Sequence, residues 1–202
     1  MIIPFETIIN GILTDGYGIA DDFITPDEVV ALADQLHQRR SAGKFKAAGT
    51  GNEQISVANA VRGDEIMWLD DATATPTEKA FLLRIDEFVS YVNQTCYLGL
   101  RDFEFHYARY PVGAFYKRHL DQFRSDSRRK LSVVCYLNTD WHEVDGGQLA
   151  LYLPGNVGEP ERQVMISPIG GRLVCFESGL LPHEVLPATH ERLSVTGWLK
   201  TG

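Results

Sequence analysis

The chain has 202 residues, 44% of them hydrophobic and 23% charged, which fits one domain with a sizeable core. Acidic residues outnumber Lys and Arg by 27 to 19, and the resulting −8 argues against functions that rest on broad attraction to nucleic acid or anionic lipid. No apolar run approaches the roughly 20 residues that span a bilayer. The start, Met1-Ile2-Ile3-Pro4-Phe5-Glu6, lacks a signal peptide's basic region, and Cys96, Cys135 and Cys175 are odd in number and scattered. These features predict a cytoplasmic, monomeric single domain over residues 1–202.

The first third of the chain reads as helical. Thr25-Pro26-Asp27-Glu28 is a helix start, with Thr as N-cap, Pro at the first helical position and Glu closing a capping box. Val29, Leu32, Ala33 and Leu36 then share one face, up to the break at Gly43. Thr75-Pro76-Thr77-Glu78 repeats the signature, with Phe81, Ile85, Phe88 and Val92 as an apolar stripe lasting to about Cys96. Between them, Lys44 to Asn59 is polar, glycine-bearing and weakly periodic, either a surface connection or a functional lid.

From Phe103 the period changes to two, with Phe103, Phe105 and Tyr107 alternating with Glu104, His106 and Ala108. Short strands are then expected at 115–121, 130–137, 147–153, 163–167, 172–176, 182–186 and 192–199, separated by glycine-rich turns. Helices that precede the strands instead of alternating with them argue against a parallel sheet. The expected class is α+β: a jelly roll, or double-stranded β-helix, over 101–202, buttressed by helices and a loop from 1–100.

Tyr116-Lys117-Arg118-His119-Leu120-Asp121 places His119 and Asp121 two apart on an expected strand, where side chains share a face. His183, in Pro182-His183-Glu184-Val185, completes two histidines and one carboxylate, the facial donor set of non-haem Fe(II). In the final strand Arg192, Ser194, Thr196 and Trp198 share one face, while Leu193, Val195 and Leu199 share the other. An inward Arg192 requires an anion, and a dicarboxylate co-substrate would satisfy it, with Thr196 and Tyr136 adding hydroxyl donors. The bland alternative is that Arg192 snorkels to a rim. Arg124, Arg128, Arg129 and Lys130 form a basic cluster after Asp121, either a solvated loop or a steering patch for a peptide.

Seven ordered segments carry a family resemblance. They are Arg62-Gly63-Asp64-Glu65-Ile66-Met67-Trp68, Arg109-Tyr110-Pro111, 116–121, Tyr136-Leu137-Asn138-Thr139-Asp140-Trp141, Gly146-Gly147-Gln148-Leu149, Pro182-His183-Glu184-Val185 and 192–198. With them the sequence resembles the 2-oxoglutarate- and Fe(II)-dependent prolyl 4-hydroxylases, in the branch shared by bacterial enzymes and animal oxygen-sensing (HIF-type) ones. The resemblance implies a dioxygenase that uses Fe(II), 2-oxoglutarate and O2, with room for ascorbate, and hydroxylates a proline in a protein while releasing succinate and CO2. It implies His119, Asp121 and His183 as iron ligands, and Arg192, Tyr136 and Thr196 on the distal carboxylate of 2-oxoglutarate. Tyr110 and Trp198 would complete the co-substrate pocket, with 44–59 as the loop over the peptide. Bacterial relatives point to elongation factor Tu as the leading substrate.

Rival readings are a hydroxylase of another residue or a free amino acid on the same iron centre, and a non-catalytic jelly-roll ligand sensor. Nucleic-acid demethylases of the same superfamily carry a second Arg six residues after the first, where this chain has Trp198. No nucleic acid and no membrane partner is expected.

Overall fold

A computed structural model describes residues 2–49, 61–122, 126–155 and 160–202. The chain opens with helix α1 (Ile2–Asp15), strand β1 (Tyr17–Ala20) and helix α2 (Pro26–Ser41). Strands β2 (Lys46–Ala47) and β3 (Glu65–Trp68) lead to helix α3 (Pro76–Cys96). The strands β4 (Leu100–Tyr110), β5 (Tyr116–His119), β6 (Arg129–Tyr136), β7 (Leu149–Leu153), β8 (Arg162–Ile166), β9 (Leu173–Glu177), β10 (His183–Val185) and β11 (Arg192–Thr201) follow.

Both expected capping boxes form. The Thr25 amide donates to Glu28 Oε2 at 2.8 Å, and the Thr75 amide donates to Glu78 Oε2 at 2.7 Å. Four elements escape the periodicity reading, the two-residue β2 among them. Helix α1 has no acidic residue in its first turn to announce it, and β1 and β3 span four residues each, too short for alternation to register. Close packing of α1 on β1 explains one glycine: a Cβ on Gly18 would lie 2.0 Å from the Ile8 carbonyl oxygen.

The strands build two antiparallel sheets, a large one in the order β1-β9-β6-β11-β4-β3-β2 and a small one in the order β5-β10-β7-β8. This is a jelly-roll sandwich with helices on its outer face. Alternation sorts each strand of the large sheet into two cores. Phe105 and Tyr107 of β4, Val133 and Cys135 of β6, and Leu193, Val195 and Leu199 of β11 pack with Leu32, Phe81, Ile85 and Phe88 of the helices. The opposite faces, with Ala108, Tyr110, Val134, Tyr136 and Phe176, pack with Leu149, Leu151 and Val185 of the small sheet. Among the described residues no helix is long and apolar enough to cross a membrane.

Candidate functional site

A cavity of about 590 Å³ opens between the sheets. Its wall includes His119, Asp121, His183, Arg192, Thr196, Trp198 and Tyr110, seven of the eight residues singled out in the sequence. The eighth, Tyr136, is fully buried behind Arg192, with its ring 4.9 Å from the guanidinium carbon.

Strand pairing does what sequence distance hides. His183 of β10 is directly opposite His119 of β5. Strand β5 ends at His119, so Asp121 stands in the bend just beyond it instead of on the strand expected over 115–121. The bend still carries the carboxylate back between the imidazoles. Asp121 Oδ1 lies 3.4 Å from His119 Nε2, and Asp121 Oδ2 lies 3.5 Å from His183 Nε2. One donor atom from each residue lies within 4.8 Å of the others, close enough to share a metal ion.

The surroundings fix which atoms are offered. His119 Nδ1 sits 2.7 Å from the Lys117 carbonyl and His183 Nδ1 sits 3.1 Å from the Leu181 carbonyl. Each Nδ1–H therefore points at a backbone acceptor, and each Nε2 lone pair faces Asp121. The His119 ring stacks on Tyr116 at 3.5 Å, and Arg62, paired with Asp64 at 2.6 Å, lies over the far side of that phenol. Ser132 donates to Asp121 Oδ2 at 2.7 Å and is itself 2.8 Å from the Ser178 hydroxyl, both serines being buried.

The electrostatics suit a metal. Burial alone would raise the Asp121 carboxyl. The neighbouring His183 and His119, with the hydrogen bond from Ser132, outweigh it and hold the group well below the ordinary carboxylate range. Burial pushes His183 down, opposed by Asp121, and favours the neutral imidazole that ligates.

At the other end Arg192 is 2% exposed, which excludes the rim-snorkelling alternative. Cross-strand pairing sets it opposite Tyr110, with Thr196 opposite His106. Its Nε donates to the Gly147 carbonyl at 2.9 Å. Its Nη2 and the Tyr136 hydroxyl are buried without a hydrogen-bond partner among the described residues. A buried guanidinium with an unfilled donor, beside an unfilled hydroxyl, fits a carboxylate ligand.

Five further wall residues are not among those eight: Arg62, Trp68 and Tyr116, which lie in segments that carry the resemblance, Arg129 of the basic cluster, and His106. His106 lies between Trp68 at 4.9 Å and Trp198 at 5.5 Å, its Nδ1 unpartnered among the described residues. Of the basic cluster only Arg129 turns inward among the described residues, while Arg128 and Lys130 are exposed. Arg129 stacks on Trp198 at 3.5 Å and bonds Glu104 at 2.8 Å, and Arg128 pairs with Asp126 at 2.7 Å. Arg124 lies outside the described residues, as does the greater part of the 44–59 loop. Of the rest of that loop, Gly49 lines the cavity and β2 pairs with β3.

A jelly roll holding a histidine–carboxylate–histidine cluster and a buried, unfilled arginine is the scaffold of a non-haem iron oxygenase that takes a 2-oxo dicarboxylate. Residues 105–200 match the 2OG-Fe(II) oxygenase superfamily. A prolyl 4-hydroxylase from Pseudomonas putida is 40% identical, covers 98% of this chain and 99% of its own, and superposes with a TM-score of 0.86. A prolyl hydroxylase from Trichoplax adhaerens, solved with a hypoxia inducible factor peptide, is 30% identical over 97% of this chain and 88% of its own, with a TM-score of 0.85. Human Egl nine homolog 1 is 27% identical over 97% of the chain. The chain spans about half the length of the curated relatives it matches, 46% for the human protein. The chain belongs to the 2OG-Fe(II) oxygenase superfamily, in its prolyl hydroxylase branch.

Proposed function

We propose that the chain hydroxylates a prolyl residue of a protein, using Fe(II), 2-oxoglutarate and O2. The observation that carries this reading is one cavity holding both the His119/Asp121/His183 donor set and the unfilled guanidinium of Arg192. His119 Nε2, His183 Nε2 and Asp121 Oδ1 would hold the iron, since Oδ2 is engaged by Ser132. Bound there, the iron supplies the redox chemistry that couples decarboxylation of 2-oxoglutarate to succinate with oxygen insertion into a C–H bond.

The chain's own residues bind, orient and exclude water. Arg192 takes the distal carboxylate through its Nη donors, because Nε is committed to Gly147. Tyr136 and Thr196 supply hydroxyls to the same carboxylate. Tyr110 and Trp198 wall the pocket, and burial drives the Tyr110 hydroxyl well above the usual tyrosine range, so it stays neutral. We place the protein in the cytoplasm as a monomer: its three cysteines are free thiols, and Cys135 and Cys175 are buried and held protonated by burial. Among substrates we favour elongation factor Tu, on the resemblance to bacterial prolyl hydroxylases.

The test incubates purified protein with Fe(II), 2-oxoglutarate, ascorbate and O2. Succinate release is followed, and oxygen-bearing prolines are mapped by mass spectrometry in elongation factor Tu and in host lysate. Asp121→Ala is expected to abolish succinate release, and Arg192→Ala to weaken use of 2-oxoglutarate severely. Unchanged succinate production in either variant, or no hydroxylated proline, overturns the assignment. Hydroxylation confined to lysate proteins other than elongation factor Tu would remove that substrate alone.

A further inference from the structure

We propose that Asn138 and Trp141 determine which 2-oxo dicarboxylate the cavity accepts, by fixing how deep the Arg192 guanidinium sits. The inference rests on the reading of Arg192 as the carboxylate anchor and adds a specificity device to it.

The anchor is held at two points by one segment of chain, residues 138–147. At the first, the buried Asn138 side chain accepts the Leu193 amide at 2.7 Å and donates to the Pro168 carbonyl at 2.7 Å. This pins the backbone of β11 one residue past Arg192. At the second, the Gly147 carbonyl accepts Arg192 Nε at 2.9 Å, while the Gly147 amide donates to the Pro187 carbonyl at 2.9 Å.

Trp141 buttresses that second point. Its indole N–H donates to the Gly146 carbonyl at 3.1 Å. Its ring packs so closely that a Cβ on Gly147 would lie 3.0 Å from the indole Cζ2 and 3.4 Å from Arg192 Cδ. Gly146 and Gly147 both have positive φ, 74° and 67°, so the turn that presents the carbonyl requires residues without side chains. Asn138 and Trp141 thus act on the ligand through Arg192, as positioning residues.

A guanidinium fixed in depth, opposite a fixed donor set, defines one span between the two ends of a ligand. A ligand one methylene longer is then discriminated against by roughly 10- to 200-fold. Loosening the brace lets Arg192 retreat, so that the natural length loses affinity while the longer acid loses none.

The test is calorimetric titration of the Mn(II)-loaded protein, which reports binding without turnover, with 2-oxoglutarate and with 2-oxoadipate. Trp141→Phe keeps the ring and removes the N–H, and is expected to weaken 2-oxoglutarate by about 2- to 10-fold, the value of one hydrogen bond. Mn(II) and 2-oxoadipate affinities should be unchanged, so the preference between the acids narrows by the same factor. Trp141→His, which keeps a ring N–H, should restore part of it, and Asn138→Ala should narrow the preference independently. If Arg192→Ala weakens 2-oxoglutarate while Trp141→Phe and Asn138→Ala keep the wild-type ratio, the positioning proposal fails. If Arg192→Ala leaves 2-oxoglutarate binding unchanged, the underlying reading of Arg192 fails with it.

Discussion

Asp121 illustrates how one carboxylate is committed by its neighbours. Each serine hydroxyl has a single hydrogen, and Ser132 gives its own to Asp121 Oδ2. The hydrogen in the Ser132–Ser178 contact therefore comes from Ser178, so the two hydroxyls form a one-way relay ending on the carboxylate. The relay holds Oδ2 away from a metal and leaves Oδ1 as the proposed ligand atom. Ser132→Ala should weaken Mn(II) or Fe(II) binding by about 10- to 100-fold, the usual cost of losing such an outer contact. Competition against a chelator measures it, and wild-type affinity in the variant would show that the serine pair does not orient the carboxylate. None of this is readable in the sequence, since Ser132 and Ser178 are separated by three further strands.

Among the elements, α2 and α3 are those whose starts were announced by their sequence, and α3 shows why. Glu78 closes the cap on the Thr75 amide and also pairs with Arg39 of α2 at 2.8 Å, with its own side chain fully buried. Burial alone would raise its carboxyl above 4.5, but the bonds from Arg39 and Thr75 outweigh that and lower it. Glu78→Gln should therefore cost about 1–3 kcal/mol at neutral pH, read from urea unfolding. The wild-type advantage is full above pH 4.5 and is lost as acid protonates Glu78 through its lowered folded value. A pH-independent difference would assign the loss to packing. Both capping boxes were legible because their residues are local, whereas the four-residue strands β1 and β3 exist only through pairing with β9 and β4.

At the scale of the whole molecule, the sandwich closes around a buried histidine. His106 is 3% exposed, and burial pushes it down to about 4 from 6.5. In that window the unfolded chain takes up the proton first, so stability falls as pH drops from about 6.5 towards about 4. The loss amounts to about 3 kcal/mol for such a shift. His106→Phe should flatten that part of the stability curve, measured by urea midpoints at neutral and acid pH. An unchanged acid slope would show that other groups govern it.

By itself the sequence determined the two capped helices, the change to alternating strands, the eight residues of the expected site and the resemblance that groups them. All of these rest on local pattern or on motif order along the chain. The tertiary structure decided what pairing and burial control. It set His183 opposite His119, turned Asp121 back from a bend instead of a strand, and drew β1 and β3 into the large sheet. It also turned Arg129 inward onto Trp198 and made His106 part of the cavity wall. Neighbours far apart in sequence decide these positions, because a side chain's protonation, partner and direction follow from what surrounds it in space.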